Sequence, residues 1–166
     1  MLCVIAKLDS VSTDRLACLQ KAACSGKVER PLYGHITVAT YIGKDESHFI
    51  QSCKELLKGI PAFSIVYEKI EVLDETSIIV ATPKKSEPLS SLHHVIAEKH
   101  KGVLDKWTGS ENWYPHTTLY HNPHSNLQSI CLKMTEFFRP FTATINRIEF
   151  SRVLDDRYEI IEHMGL

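Results

Sequence analysis

The stretch NWYPHTTLYHNPHSN, residues 112–126, sets His116, His121 and His124 among aromatic residues and prolines. On a strand, side chains alternate faces, so Tyr114, His116, Thr118 and Tyr120 form one row while His121 points the other way. The same arrangement occurs 81 residues earlier: Tyr33-Gly34-His35-Ile36-Thr37-Val38 parallels Tyr114-Pro115-His116-Thr117-Thr118-Leu119. Two imidazoles with an ordinary pKa near ~6.5 can serve together as base and acid at neutral pH. Two threonine hydroxyls can donate to the non-bridging oxygens of a phosphate. In-line displacement at phosphorus asks for this set: a base on the attacking oxygen, an acid on the leaving one, and donors for the equatorial oxygens. It requires no metal.

Other readings of the same residues are open to weighing. A core strand copied by duplication, each His satisfying its Thr, would leave the same pattern. A metal site from His116, His121 and His124 would need converging ligands. His116 and His121 instead lie on opposite faces of a continuous strand, and no Cys, Asp or Glu completes the set at familiar spacing. The sequence therefore predicts no metal ligand. His93, His94 and His100 fall on a predicted helix and read as surface or boundary residues. Lys84-Lys85 and residues 99–101 read as solvated faces. Tyr33, Tyr114, Tyr120 and Trp113 either stack a nucleobase, worth about 1–3 kcal/mol per base where such stacking occurs, or pack the lining of a cleft.

The elements that must position these residues follow from periodicity. LCVIAKL is a strand. A helix capped by Asp9 or Ser12 follows, with Leu16, Leu19 and Ala23 on one face and Gly26 as its stop. YGHITVATYIG is a strand, residues 45–58 a helix, and FSIVYEKIEVL with SIIVAT a hairpin turning at Asp74-Glu75. KKSEPLSS reads as the connection to a second half. There, 89–107 is a helix, YPHTTLY a strand, 127–138 a helix, and FTATINRIEFSRVL with RYEIIEH a hairpin across Asp155-Asp156. Phe63, Ile70 and Glu71 parallel Phe141, Ile148 and Glu149, and Val72-Leu73-Asp74 returns as Val153-Leu154-Asp155. A steady offset of this kind marks a duplicated unit. The expectation is one α+β domain over 1–166, bilobal and pseudo-twofold, with duplicated antiparallel sheets, helices packed outside, and repeat halves at 1–83 and 88–166.

Composition narrows the class without naming a partner. Hydrophobic residues make up 43% of 166 positions, and 19 Lys and Arg against 20 Asp and Glu give a net charge of -1. Such a chain buries roughly 70% of its unfolded surface. The balance argues against an extended nucleic-acid surface or an anionic membrane. No apolar run approaches the roughly 20 residues a membrane span needs. The five cysteines, odd in number and without CxxC, argue against a disulfide framework. The expectation is a cytoplasmic protein, monomeric by default, with no protein partner implied.

The paired HITV and HTTL motifs in duplicated halves resemble the two-histidine phosphoesterase superfamily, in its 2′-5′ RNA ligase-like and cyclic phosphodiesterase branch. The similarity runs from LCVIAKL to the closing YEII strand. It implies the LigT-like fold, a concave cleft, and hydrolysis of 2′,3′-cyclic phosphate or 2′-5′ phosphodiester bonds of nucleotides or RNA ends, with no cofactor. By that resemblance His35 and His116 are the acid and base, in either order, and Thr37 and Thr118 hold phosphate. Relatives often carry Arg shortly after a motif; here Ala39 and Thr40, and Tyr120 and His121, stand there, a departure that bears on RNA-end specificity. A nucleotide- or RNA-binding module without catalysis, on the same fold, is the competing expectation.

Overall fold

The run LCVIAKL forms strand β1 (Leu2–Leu8), every residue of which is buried. Asp9 then opens helix α1 (Ser10–Ala23): its carboxylate accepts from the Ser12 backbone N–H and from the Ser12 hydroxyl, each at 2.8 Å. It also accepts from the backbone of Thr144 at 2.7 Å, tying the helix start to a distant strand. Burial alone would raise the Asp9 pKa, but these hydrogen bonds outweigh it and hold the carboxyl below its ordinary range.

The computed structural model describes residues 1–23, 34–73, 75–154 and 158–166. After α1 come β2 (His35–Tyr41), α2 (Glu46–Leu57), β3 (Phe63–Val72) and β4 (Ile78–Pro83). The second half contributes α3 (Glu87–Lys99), β5 (Thr117–His121), α4 (Leu127–Phe137), β6 (Phe141–Val153) and β7 (Tyr158–Gly165). Asp45 and Asn126 cap α2 and α4, their side chains accepting the backbone N–H groups of His48 and Ser129. The expected helix stop at Gly26, the turn residues Asp74, Asp155 and Asp156, and Tyr33 lie outside the described residues.

All strand pairs are antiparallel, in the order β2-β1-β6-β3-β4-β5, with β7 also on β6. The long strand β6 joins the parts. Its first residues pair with β3, and the rest pair with β1 on one edge and β7 on the other. One face of the sheet carries Leu2, Val4, Ala6, Ile36, Ile65 and Ile79 into a core shared with helix residues such as Leu16, Phe49, Leu92 and Met134. This is the expected α+β architecture of antiparallel strands and helices. Among the described residues no helix is long and apolar enough to cross a membrane.

Helix α3 differs from the sequence expectation at both ends. Helix α3 begins at Glu87, inside the segment read as a connection, because Pro88 in the first turn loses no helical hydrogen bond. It ends at Lys99 instead of Trp107. Gly102 adopts a positive φ of 87°, and beyond it the backbone turns to β2. Ile42 N–H donates to the Val103 carbonyl at 3.0 Å, Asp105 N–H to the Thr40 carbonyl at 2.8 Å, and Thr40 N–H to the Thr108 hydroxyl at 2.9 Å. Tertiary pairing along an open strand edge thus outcompetes helix continuation. Consequently His93 is not a surface residue. It is 5% exposed, stacks flat on Trp113 at 4.0 Å, and donates from Nε2 to the Thr108 carbonyl at 3.1 Å.

The same seam joins the two ends of the strand order. Trp113 Nε1 donates to the Thr37 carbonyl at 2.9 Å, and the Thr117 hydroxyl donates to the His35 carbonyl at 2.8 Å. Because the Thr117 proton is committed to that carbonyl, the buried Tyr67 hydroxyl, 2.5 Å from Thr117 Oγ1, is the donor of the second bond. Thr117→Val therefore strands a buried phenol and a carbonyl. Each unsatisfied group costs about 1–3 kcal/mol. Urea unfolding should show a lower midpoint at an unchanged slope, and the loss should not add to that of Tyr67→Phe.

Candidate active site

His35 opens β2, and Thr37 follows on the same face; both are partly buried, while Ile36 and Val38 between and beyond them belong to the core. Across the ladder His35 faces Lys7 and Thr37 faces Ile5. Ile5 in turn faces Glu149, and Lys7 faces Arg147. In the second half, Thr118 faces Val80, and Val80 faces Glu71. Ile5 and Val80 are both fully buried yet lie on the face opposite the core cluster. Each motif threonine thus stands beside a buried β-branched residue and, one strand further, a glutamate. The hydroxyls of Thr37 and Thr118 have no hydrogen-bond partner among the described residues.

Both motif strands bulge at the same place. The register with β1 skips Val38, and the register of β5 with β4 skips Leu119. A bulge inverts the alternation beyond it. The expected row of Tyr114, His116, Thr118 and Tyr120 is broken there. Tyr120 pairs with the core residue Ile79, packs against the core, and places its hydroxyl 2.9 Å from Ser125 Oγ. His121 faces Ile78 and is exposed. Among the described residues no three His, Cys, Asp or Glu side chains converge to hold a metal ion.

His116 sits one residue before β5, not within it, behind Pro115. Its Nδ1 donates to the Tyr114 carbonyl at 2.7 Å, which leaves Nε2 with its lone pair. Burial pushes the His116 pKa below the usual histidine value, against a smaller upward pull from that carbonyl. His35 meets a side chain that sequence reasoning missed: the Tyr158 ring on β7 packs edge-on against it, centroids 5.4 Å apart. Burial raises the Tyr158 pKa, so its hydroxyl stays protonated at neutral pH. No periodic signal marks this tyrosine, because β7 pairs with β6 through a further bulge at Phe150/Ser151.

Of the four aromatic residues read as stacking a nucleobase or packing the lining of a cleft, Tyr33 lies outside the described residues. Tyr114 is 39% exposed, stacks on His116 at 6.3 Å, and donates its hydroxyl to Glu71. Trp113 is held in the seam and against His93. Lys7, also missed, is the one cation in an otherwise apolar strand. It is 9% exposed and donates to the Gly34 carbonyl at 3.2 Å, next to His35. Burial lowers its pKa, with Arg147 adding to the effect and Glu149 opposing it.

The chain belongs to the 2′-5′ RNA ligase superfamily, whose family model matches residues 10–157. In structure it is similar to TT0787 of Thermus thermophilus, at TM-score 0.72 and 14% identity, covering 99% of this chain and 97% of that one. It is also similar to LigT of E. coli in its apo form, at TM-score 0.67 and 13% identity over 99% and 96% of the two chains. LigT complexed with 3′-AMP matches at TM-score 0.64, 13% identity and the same coverage. No curated protein matches the sequence. At such identities the structural likeness establishes the LigT-like fold, and superfamily membership supports a phosphoesterase-type activity.

The environment of His116 makes a direct expectation. Its ring should titrate below ~6.5, remaining neutral at pH values where an exposed histidine is half protonated. Histidine-resolved NMR titration, assigned by His116→Gln, reads this; a midpoint at or above the ordinary value would show that burial does not control the ring.

Proposed function

We propose that this protein hydrolyses 2′,3′-cyclic phosphate or 2′-5′ phosphodiester bonds of nucleotides or RNA ends without a metal. His116 and His35 are the acid–base pair, and Thr37 and Thr118 are the phosphate donors. The observation that carries the reading is the juxtaposition of both His-x-Thr motifs across the Thr117–His35 and Trp113–Thr37 hydrogen bonds. The structures of LigT with 3′-AMP and with ATP support a nucleotide as substrate class.

Roles follow from proton placement. His116, neutral and with Nδ1 engaged, takes a proton at Nε2 from the attacking water. That oxygen bonds to phosphorus while the bond from phosphorus to the 2′ or 3′ oxygen breaks. His35, in its protonated form, gives its proton to the departing oxygen. The hydroxyls of Thr37 and Thr118 donate to the non-bridging oxygens as charge grows on them. One proton has entered and one has left, and exchange with solvent resets both rings. The Tyr158 ring walls the His35 side of this space.

The reading is tested with a 2′,3′-cyclic mononucleotide and a 2′-5′ dinucleotide as substrates. His35→Ala and His116→Ala should each lower kcat/KM by about 10²–10⁴ with folding retained, the usual worth of a general acid or base. The wild-type pH profile should be bell-shaped, its acid limb lying below ~6.5 because the base is His116. A chelator should leave the rate unchanged. Tight nucleotide binding without cleavage of either substrate would instead identify a binding module.

A further inference from the structure

Two glutamates of the motif face, Glu71 and Glu149, stand at matching places in the strand ladders, opposite Val80 and Ile5. Lys69-Ile70-Glu71 on β3 and Arg147-Ile148-Glu149 on β6 are equivalent tripeptides, and in each the basic residue pairs with its own glutamate: Lys69 Nζ to Glu71 Oε2 at 2.8 Å, Arg147 Nη2 to Glu149 Oε1 at 2.7 Å. Their neighbours on the adjoining strands correspond too. Thr82 faces Lys69, and Lys7 faces Arg147. From this point the two sides lead to the two motifs. Glu71 Oε1 accepts from the Thr82 hydroxyl at 2.7 Å and from the Tyr114 hydroxyl, and the Tyr114 backbone carbonyl accepts His116 Nδ1. Glu149, 1% exposed, lies beside Lys7, whose ammonium donates to the Gly34 carbonyl immediately before His35.

We propose that Glu71 is a positioning residue for His116, acting through Tyr114. The inference rests on the acid–base reading of the two histidines. Tyr114 is tethered at both ends. Its hydroxyl is held by a carboxylate that Lys69 and Thr82 keep in place, and its carbonyl selects the Nδ1–H tautomer of His116. Only that tautomer offers Nε2 as an acceptor. Pro115 stands between the two residues, and its ring limits the backbone between anchor and histidine. Burial favours the protonated form of Glu71, but its three donors outweigh burial and keep it an anion. A fixed charge thus holds the anchor at neutral pH. Nothing in the periodicity of β3 distinguishes Glu71 from a solvated residue; its pairing with Tyr114 comes from a loop 43 residues away.

Tyr114→Phe keeps the ring that stacks on His116 and deletes only the tethering hydroxyl; Glu71→Gln keeps the size and removes the charge. Both variants should lower kcat on a 2′,3′-cyclic nucleotide about tenfold with KM nearly unchanged, a fraction of what loss of the base itself costs. In ¹⁵N spectra of the free protein, both should convert His116 from the Nδ1–H form to a tautomer mixture, with its midpoint moving further below ~6.5 as the upward pull of the Tyr114 carbonyl weakens. A structural role alone would lower stability without moving the tautomer. Unchanged tautomer, titration and kcat in both variants would overturn the inference while leaving the phosphoesterase reading intact. A tautomer shift in a protein that cleaves no phosphodiester would retain the positioning role and reject the reading of the reaction.

Discussion

A threonine hydroxyl between a buried tyrosine and a backbone carbonyl is the contact on which the arrangement depends. β2 and β5 stand at opposite ends of the strand order, so no ladder hydrogen bond brings them together. Tyr67 donates to Thr117, and Thr117 donates to the carbonyl of His35. Both side chains are buried, at 0% and 1% exposure, so neither can trade its partner for water. Residues 103–113 extend this link along the rest of β2 through Val103, Asp105, Thr108 and Trp113. The open edge that would otherwise carry unpaired groups becomes the seam that sets the distance between the motifs.

The cleft face divides its labour between donors left open and charges tied down. Thr37 and Thr118 present hydroxyls without partners among the described residues, beside the apolar floor of Ile5 and Val80. Around them the ionised groups are matched. Lys69 and Arg147 each hold a glutamate, and Lys7 is spent on the Gly34 carbonyl. The twin bulges at Val38 and Leu119 serve the same end. By inverting the alternation after each threonine, they send Ala39 and Tyr120 to the core and limit the motif face to two residues per strand. The motif face thus presents hydroxyls and imidazoles beside paired charges, in keeping with the absence of arginine after either motif.

Much of this was legible before any coordinates. Alternation and β-branched runs marked the strands, and Asp9 marked the start of α1. The recurrence of Tyr-x-His-x-Thr singled out the residues proposed for the site. What escaped sequence reasoning shares one cause, competition from distant backbone. The helix expected to reach Trp107 stops at Lys99 because β2 offers its residues better hydrogen bonds than a further turn does. His93 is buried for the same reason. Tyr120 leaves the cleft because a bulge, invisible in a two-residue period, lies between it and Thr118. Tyr158 and Lys7 approach His35 through register alone.

The sequence by itself nominated the residues of the proposed site, because a His-x-Thr pattern preceded by tyrosine seldom recurs at matching places by chance. It also determined the strands and most helix starts, since these depend on neighbours three or four residues away. Only the tertiary structure decided how the pieces address one another. Which nitrogen of His116 is free depends on the carbonyl of Tyr114, and the set of the Tyr114 side chain depends on Glu71 from another strand. Which aromatic residues face the cleft depends on bulges and register. Those are properties of paired strands and packed side chains, fixed by hydrogen bonds between residues tens of positions apart, and no local pattern encodes them.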